Sequence, residues 1–173
     1  VPPLCRGVNY ALASNGGVTT ASSSTTANFP PSAANNGDRR GLDFGGGEGK
    51  GTWGSQASQP QWLQIDFNGM KTIEEINVVT LQDNYNTNPV EPSEAMTFTL
   101  YGLQDFRVEY WNGSEWALVP VQVGYQNPVV GNNRVLRRFR FAPLTTTKVR
   151  VFSTRAPMQI SRIVELEALG CPR

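Results

Sequence analysis

The chain has 173 residues, enough for one domain with a substantial core, and only 17% are charged against 39% hydrophobic, with 17 glycines and 12 prolines. Lys+Arg number 15 and Asp+Glu 14, a formal charge of +1, so no broad positive field exists to recruit nucleic acid or an anionic membrane. Histidine is absent, which removes imidazole acid–base chemistry, a Ser-His-Asp or Cys-His engine and His-ligated zinc, and leaves carboxylate chemistry and calcium open.

This profile predicts a turn-rich all-β domain. Residues 1–61 read mostly as coil: the runs Ala21–Thr26, Phe29–Pro31, Asn35–Asp38 and Gly45–Gly51 leave only Asn9–Ser14 and Val18–Ala21 as strand candidates. From Trp62 onward a period of two recurs. Trp62–Phe67 places Leu63, Ile65 and Phe67 on one face, and Ile73–Leu81, Phe106–Trp111, Trp116–Val123, Val135–Phe141, Lys148–Phe152 and Ile163–Leu169 follow as further strands. Asn112-Gly113, between two tryptophan-bearing strands, predicts a hairpin closed by a two-residue type I′ turn. No stretch carries helical amphipathicity. The sum is one domain over 1–173, an antiparallel β-sandwich of jelly-roll type with about eight strands.

Cys5 and Cys171 stand at opposite ends of the chain. They are either two unrelated buried thiols or a staple between the terminal segments, and the staple is the reading taken here. Closing so long a loop would stabilise the fold by roughly 5 kcal/mol in the chain-entropy model. A disulfide implies an oxidising compartment. Val1 opens the chain without a basic or apolar leader pattern, so the sequence reads as a mature or excised secreted module with no membrane span.

Alternation along the last strand puts Glu165 and Glu167 on one face, opposite Val164, Leu166 and Ala168. Two carboxylates side by side repel unless they meet a cation. That cation is either an arginine such as Arg150 or Arg162, or a hard metal ion gathered with oxygens of the Asn- and Gly-rich first loop, where Asn35–Asp38, Asp43 and Gly51-Thr52 are suitable donors. A glycosidase-like use of the two carboxylates finds no cleft in the pattern.

Asn9–Ala13 with the Thr/Ser-rich strand after it, the turn Ala34–Asp38, Thr52-Trp53 followed by Ser55, Trp62–Asp66 and the terminal Glu165–Cys171 together resemble the discoidin domain of the galactose-binding-like superfamily, which includes coagulation-factor C-type domains and bacterial carbohydrate-binding modules. The resemblance spans nearly the whole chain in order. It implies an eight-stranded jelly roll with adjacent termini and a structural calcium near the first loop, with Asp38, Thr52 and Glu165 in the positions of its ligands. Arg39–Gly51 expands the family's short turn here, so Asp43 rivals Asp38, and Glu167 rivals Glu165.

The resemblance also implies ligand binding by loops at one end of the sandwich. Gln82, Asp83, Asn84 and Tyr85 leave a strand end together; Arg155 lies on the loop between the last two strands, which alternation of antiparallel connections puts at the same end; Asp43 and Phe44 on the first loop complete a rim. Aromatic faces stack on sugar C–H faces and amides, acids and arginine bond hydroxyls. The expected function is thus a non-catalytic, lectin-like carbohydrate-binding module of a secreted bacterial protein, monomeric, joined to other domains, with a glycan as partner and no nucleic acid or membrane. The alternative is an adhesion domain that binds protein or phospholipid.

Overall fold

The computed structural model describes residues 7–172. Eight strands run β1 (Val8–Asn9), β2 (Val18–Ala21), β3 (Trp53–Gly54), β4 (Gln61–Thr80), β5 (Asp105–Trp111), β6 (Trp116–Leu118), β7 (Leu136–Arg155) and β8 (Arg162–Gly170), with short 3-10 turns at Ala13–Asn15, Pro31–Asn35 and Pro157–Gln159. All pairings are antiparallel, in the order β1-β8-β4-β7-β5-β6, with β2 also on β4 and β3 also on β8. The predicted all-β architecture is what the chain adopts, but its strands are divided differently.

Two pairs of predicted strands are each one continuous strand. Trp62–Phe67 and Ile73–Leu81 merge into β4, and Val135–Phe141 and Lys148–Phe152 merge into β7, each 20 residues long. Straight, such a strand would reach about 66 Å, too long for a domain of this size. Both therefore bend together. Their ladder shifts register between Asp66/Lys71 and Ile73/Glu75, and the bend of β4 falls on the exposed residues 68–70 around Gly69, whose φ of 88° is open to glycine.

The bend folds the ladder into two layers. In the first, residues 61–66 of β4 lie between β2 and residues 148–153 of β7, which continue to β5 and β6; in the second, residues 75–80 lie between β8 and residues 136–140 of β7. Leu63, Ile65, Phe67, Val108 and Val149 from the first layer share one core with Ile76, Val78, Phe139 and Leu166 from the second. Phe106 meets Phe139 across it, ring centroids 6.1 Å apart and nearly edge-to-face, a contact that adds about 1 kcal/mol beyond area burial.

Other departures have local causes. The strand expected at Asn9–Ser14 ends after Asn9, whose side-chain oxygen accepts the N–H of Ala11 and of Ala168 in place of a ladder bond. β6 stops at Leu118, two residues before Pro120, leaving a single bridge from Val121 to Phe141. The hairpin forms over a longer loop than predicted. Trp111 pairs with Trp116 across residues 112–115, where the Asn112 N–H donates to the Glu115 carbonyl, the Asn112 side-chain oxygen accepts the Ser114 and Glu115 amides, and Gly113 alone has positive φ (104°).

Candidate functional site

The two acidic positions of β8 do share a face, but Val164 joins them. A register shift between Val79 and Thr80 makes Val164 the extra residue, so it packs with Val79 and Leu81 in a second apolar cluster on the outer side of the sheet. That outer side is covered, not exposed: Glu165 is 0% and Glu167 9% accessible. The cation that meets Glu167 is Arg39 of the first loop, at 2.6 and 3.0 Å through two guanidinium nitrogens, a partner the sequence reading did not name; the bond raises the Arg39 pKa. Arg150 pairs with Glu109 and Arg162 stacks on Tyr101, so neither serves β8.

Glu165 forms no ion pair or hydrogen bond with an arginine among the described residues, although the charge of Arg39 acts on it from its bond to Glu167. Its Oε2 accepts the Gly37 N–H at 2.7 Å, while Oε1 is buried with no hydrogen-bond partner. Burial pushes its carboxyl up to about 9, against the opposing pull of the Gly37 and Asn36 amides. Asp38 turns both oxygens to its own loop: Oδ1 accepts the Arg40 amide and Nε, and Oδ2 the Leu42 amide. The buried Thr52 hydroxyl donates to the Trp53 carbonyl. Among the described residues no cluster of three or more His, Cys, Asp or Glu side chains surrounds a common point. Cys5 lies outside the described residues; the register of Val8 with Gly170 brings the chain's two end segments alongside each other.

Of the expected ligand residues, the structure brings Tyr85 and Phe44 together, ring centroids 4.7 Å apart. They belong to a row of aromatic rings from four segments. Phe29 lies 5.1 Å from Phe44, Tyr101 lies 5.8 Å from Tyr85, and the Arg162 guanidinium covers the Tyr101 ring at 4.8 Å. Phe44 reaches the row because the glycine-rich loop folds tightly behind it. At Gly51, φ is 77° and a Cβ would come within 3.0 Å of the Asp43 carbonyl oxygen and the Phe44 Cα. Asp43 itself is exposed, with a left-handed φ of 61°.

The neighbours of Tyr85 brace the loop. Gln82 is buried and bonds both the N–H and the carbonyl of Val90; Asp83 accepts the Thr99 and Leu100 amides and the Thr99 hydroxyl; the Asn84 carbonyl accepts the Thr87 amide while its side chain stays exposed. Arg155 is held by both oxygens of Asp105 at 3.0 Å, and this guanidinium, with the Gly131 amide, keeps the Asp105 carboxyl below its usual range.

Arg162, Phe29 and Tyr101 are the residues that sequence reasoning missed at this end. Arg162 makes no ion pair among the described residues; its one hydrogen bond is long, 3.5 Å to the Ile160 carbonyl, and burial pulls its pKa down. Beside it opens a small, mostly apolar cavity of about 90 Å³ lined by Phe29, Phe44, Thr52, Gly54 and Ile160. Thr80 links this end to β5, since its hydroxyl donates to the Arg162 carbonyl and accepts the Leu103 amide, next to Gln104, which bonds Arg155. A larger polar cavity of about 630 Å³ lies between the two loops, over Arg39, Arg40, Glu91 and Glu167.

Residues 33–151 match the family described as the NedA-like, galactose-binding domain of the F5/F8 type C group, well over half of the chain. The chain belongs to this family. The galactose-binding-like fold is likewise that of chitosan-binding module 2 of a chitosanase/glucanase from Paenibacillus sp. IK-5, solved with chitotriose: TM-score 0.66, 18% identity, covering 94% of this chain and 100% of that one. A Streptococcus pneumoniae fucose-binding module superposes with TM-score 0.66 at 16% identity over 95% of this chain and 99% of its own. The family 32 module of Clostridium perfringens NanJ, solved with galactose, gives 0.61 at 14% over 88% and 92%. No curated protein sequence matches the chain.

Proposed function

We propose that this galactose-binding-like domain is a non-catalytic glycan-binding module, and that the glycan docks at the loop end where Arg162 meets Phe44, Tyr85 and Tyr101. One observation carries the reading. Arg162 presents a partly desolvated guanidinium that stacks on an aromatic ring and has no carboxylate partner among the described residues, beside an apolar cavity, which is the combination a sugar meets with its C–H face and its hydroxyls. The solved relatives, two of them in complex with chitotriose and galactose and one a fucose-binding module, support the ligand class. Exposed Asn84 and Asp43 flank the ring row and serve as further hydroxyl partners, whereas Gln82, Asp83 and Arg155 position the loops.

The module is secreted, monomeric and joined to other domains of a bacterial protein, and a Cys5–Cys171 bridge closes its ends; mass measurement with and without reductant tests the bridge. A structural calcium is part of the same proposal. It rests on the buried Oε1 of Glu165, which accepts no hydrogen bond among the described residues, and to which Asp38 and the first-loop carbonyls would be added. The ion would tie the first loop to β8 and take no part in sugar chemistry. Calcium is expected to raise the melting temperature and Glu165→Gln to remove that response.

Glycan-array binding of the wild type, Arg162→Gln and Tyr85→Ala tests the function. Loss of about tenfold or more in both variants is expected. The adhesion reading is favoured by Val130 and Met158, 66% and 67% exposed near this end; binding to phospholipid vesicles with no glycan bound would establish it instead.

A further inference from the structure

The outer face of the first layer carries a concentration of aromatic side chains that the loop site leaves unused. Alternation and register set Trp62 on β4 beside Phe152 on β7, Phe152 beside Arg107 on β5, and Trp111 beside Trp116 on β6. All four rings are half-buried, and Leu118 next to Trp116 is 41% exposed. Trp111 and Trp116 meet at 5.6 Å, nearly edge-to-face. Three of the molecule's four tryptophans thus stand on one solvent-facing sheet surface, where a soluble fold gains nothing from large apolar rings unless something covers them.

Cations are threaded between these rings. Arg107 lies over Phe152 at 4.1 Å, Arg150 over Trp116 at 4.4 Å and over Phe152 at 5.1 Å, and Lys148 over Trp111 at 4.6 Å and Trp116 at 5.6 Å. Glu109, nearly buried, takes both arginines, at 3.0 and 2.7 Å. Lys148 has no such partner. Among the described residues it makes no ion pair, and the carboxylate on the neighbouring strand, Asp66, accepts the Gln64 amide instead. From Phe152 to Lys148 the strip follows four residues of β7, about 13 Å.

We propose that this strip is a second binding surface, for an extended acidic glycan whose sugar rings lie along the tryptophans and Phe152 while a carboxylate or sulfate pairs with Lys148. Charge complementarity selects the occupant: Arg107, Arg150 and Lys148 face two carboxylates, Glu109, which takes both arginines, and Asp66, opposite Lys148, so three positive charges less two negative ones leave the strip at +1, and flat rings suit the C–H face of a pyranose. The choice of a glycan rests on the reading of the loop end, but the two surfaces share no residue and fail separately.

The test is affinity electrophoresis through gels holding polygalacturonate or its methyl ester, the same chain without charge. The wild type is expected to be retarded by the acid polymer only, less so as salt rises. Trp116→Ala is expected to weaken retardation about tenfold and Lys148→Gln roughly fivefold, with melting temperatures checked and the lysine variant guarding against misfolding of the other. Arg162→Gln should retain it. No retardation of the wild type, or retardation that both strip variants keep, overturns the proposal. So does loss in Arg162→Gln alone, which moves the acid polymer to the loop end, or concentration-dependent self-association abolished by Trp116→Ala in place of retardation. Neutral-glycan binding that ignores Arg162→Gln would sink the loop-end reading and leave this outcome intact.

Discussion

The two outer faces of this sandwich use the same residue types in different ways. On the first layer Arg107, Arg150 and Lys148 lie over half-buried aromatic rings, and the two arginines also share the buried Glu109, which leaves Lys148 to the rings. On the second layer Arg138 and Arg140 lie 3.0 and 3.6 Å from the fully buried Glu75, and Arg39 of the first loop holds Glu167 beside the loop after β4. Nothing in strand alternation separates the faces. What separates them is the cation left over: on both faces a buried carboxylate takes its arginines, Glu75 and Glu167 on the second layer and Glu109 on the first, but the open face holds a further cation, Lys148, that shares aromatic rings with water instead of a carboxylate.

That contrast predicts unequal consequences for removing a cation. Arg138→Ala strips the closer partner from Glu75 and is expected to lower stability by about 3 kcal/mol in urea unfolding. A loss under 1 kcal/mol would erase the distinction between the faces.

Glu165 sharpens it through pH. In the folded, metal-free chain its carboxyl keeps a proton up to about 9, whereas the ordinary value is 4.5, so the folded state binds the extra proton between these limits. Its contribution to stability is greatest below that window and falls as pH rises through it. With a chelator present, Glu165→Gln is expected to match the wild type near pH 4 and to melt about 4 °C or more higher at pH 8. Saturating calcium should reverse that order by compensating the ionised carboxylate. Equal melting temperatures at pH 8 in chelator would show that Glu165 is not desolvated.

The smallest effect belongs to the open face. Lys148→Ala is expected to change stability by less than about 1 kcal/mol, since the ammonium sits over two rings without an ion pair. A loss as large as that of Arg138→Ala would mean that the open strip is a structural device.

Much of this could be read from single-residue patterns. Alternation located the strand segments and the shared face of Glu165 and Glu167, while the resemblance, which points to loops at one end, singled out Phe44 and Tyr85, whose rings converge there. The bends of β4 and β7 were not legible, because the period of two resumes after a short exposed break at 68–70 that reads as an ordinary turn. Nor was Arg162. It stands at a strand start, and only the fold sets it against Tyr101, 61 residues away, and leaves it without a carboxylate partner among the described residues. Arg39 paired with Glu167 was hidden for the same reason: separations of this size leave no local signal.

The central claim is that Arg162 and the ring row beside it receive the glycan. NMR titration with a sugar selected by the array, following the Arg162 Nε–H resonance and the amides of Phe44, Tyr85 and Tyr101, tests it most directly. Saturable shifts at these four residues, with those of Trp111 and Trp116 unmoved by a neutral sugar, are predicted. Shifts confined to other surfaces, with Arg162 silent at saturation, would contradict the account.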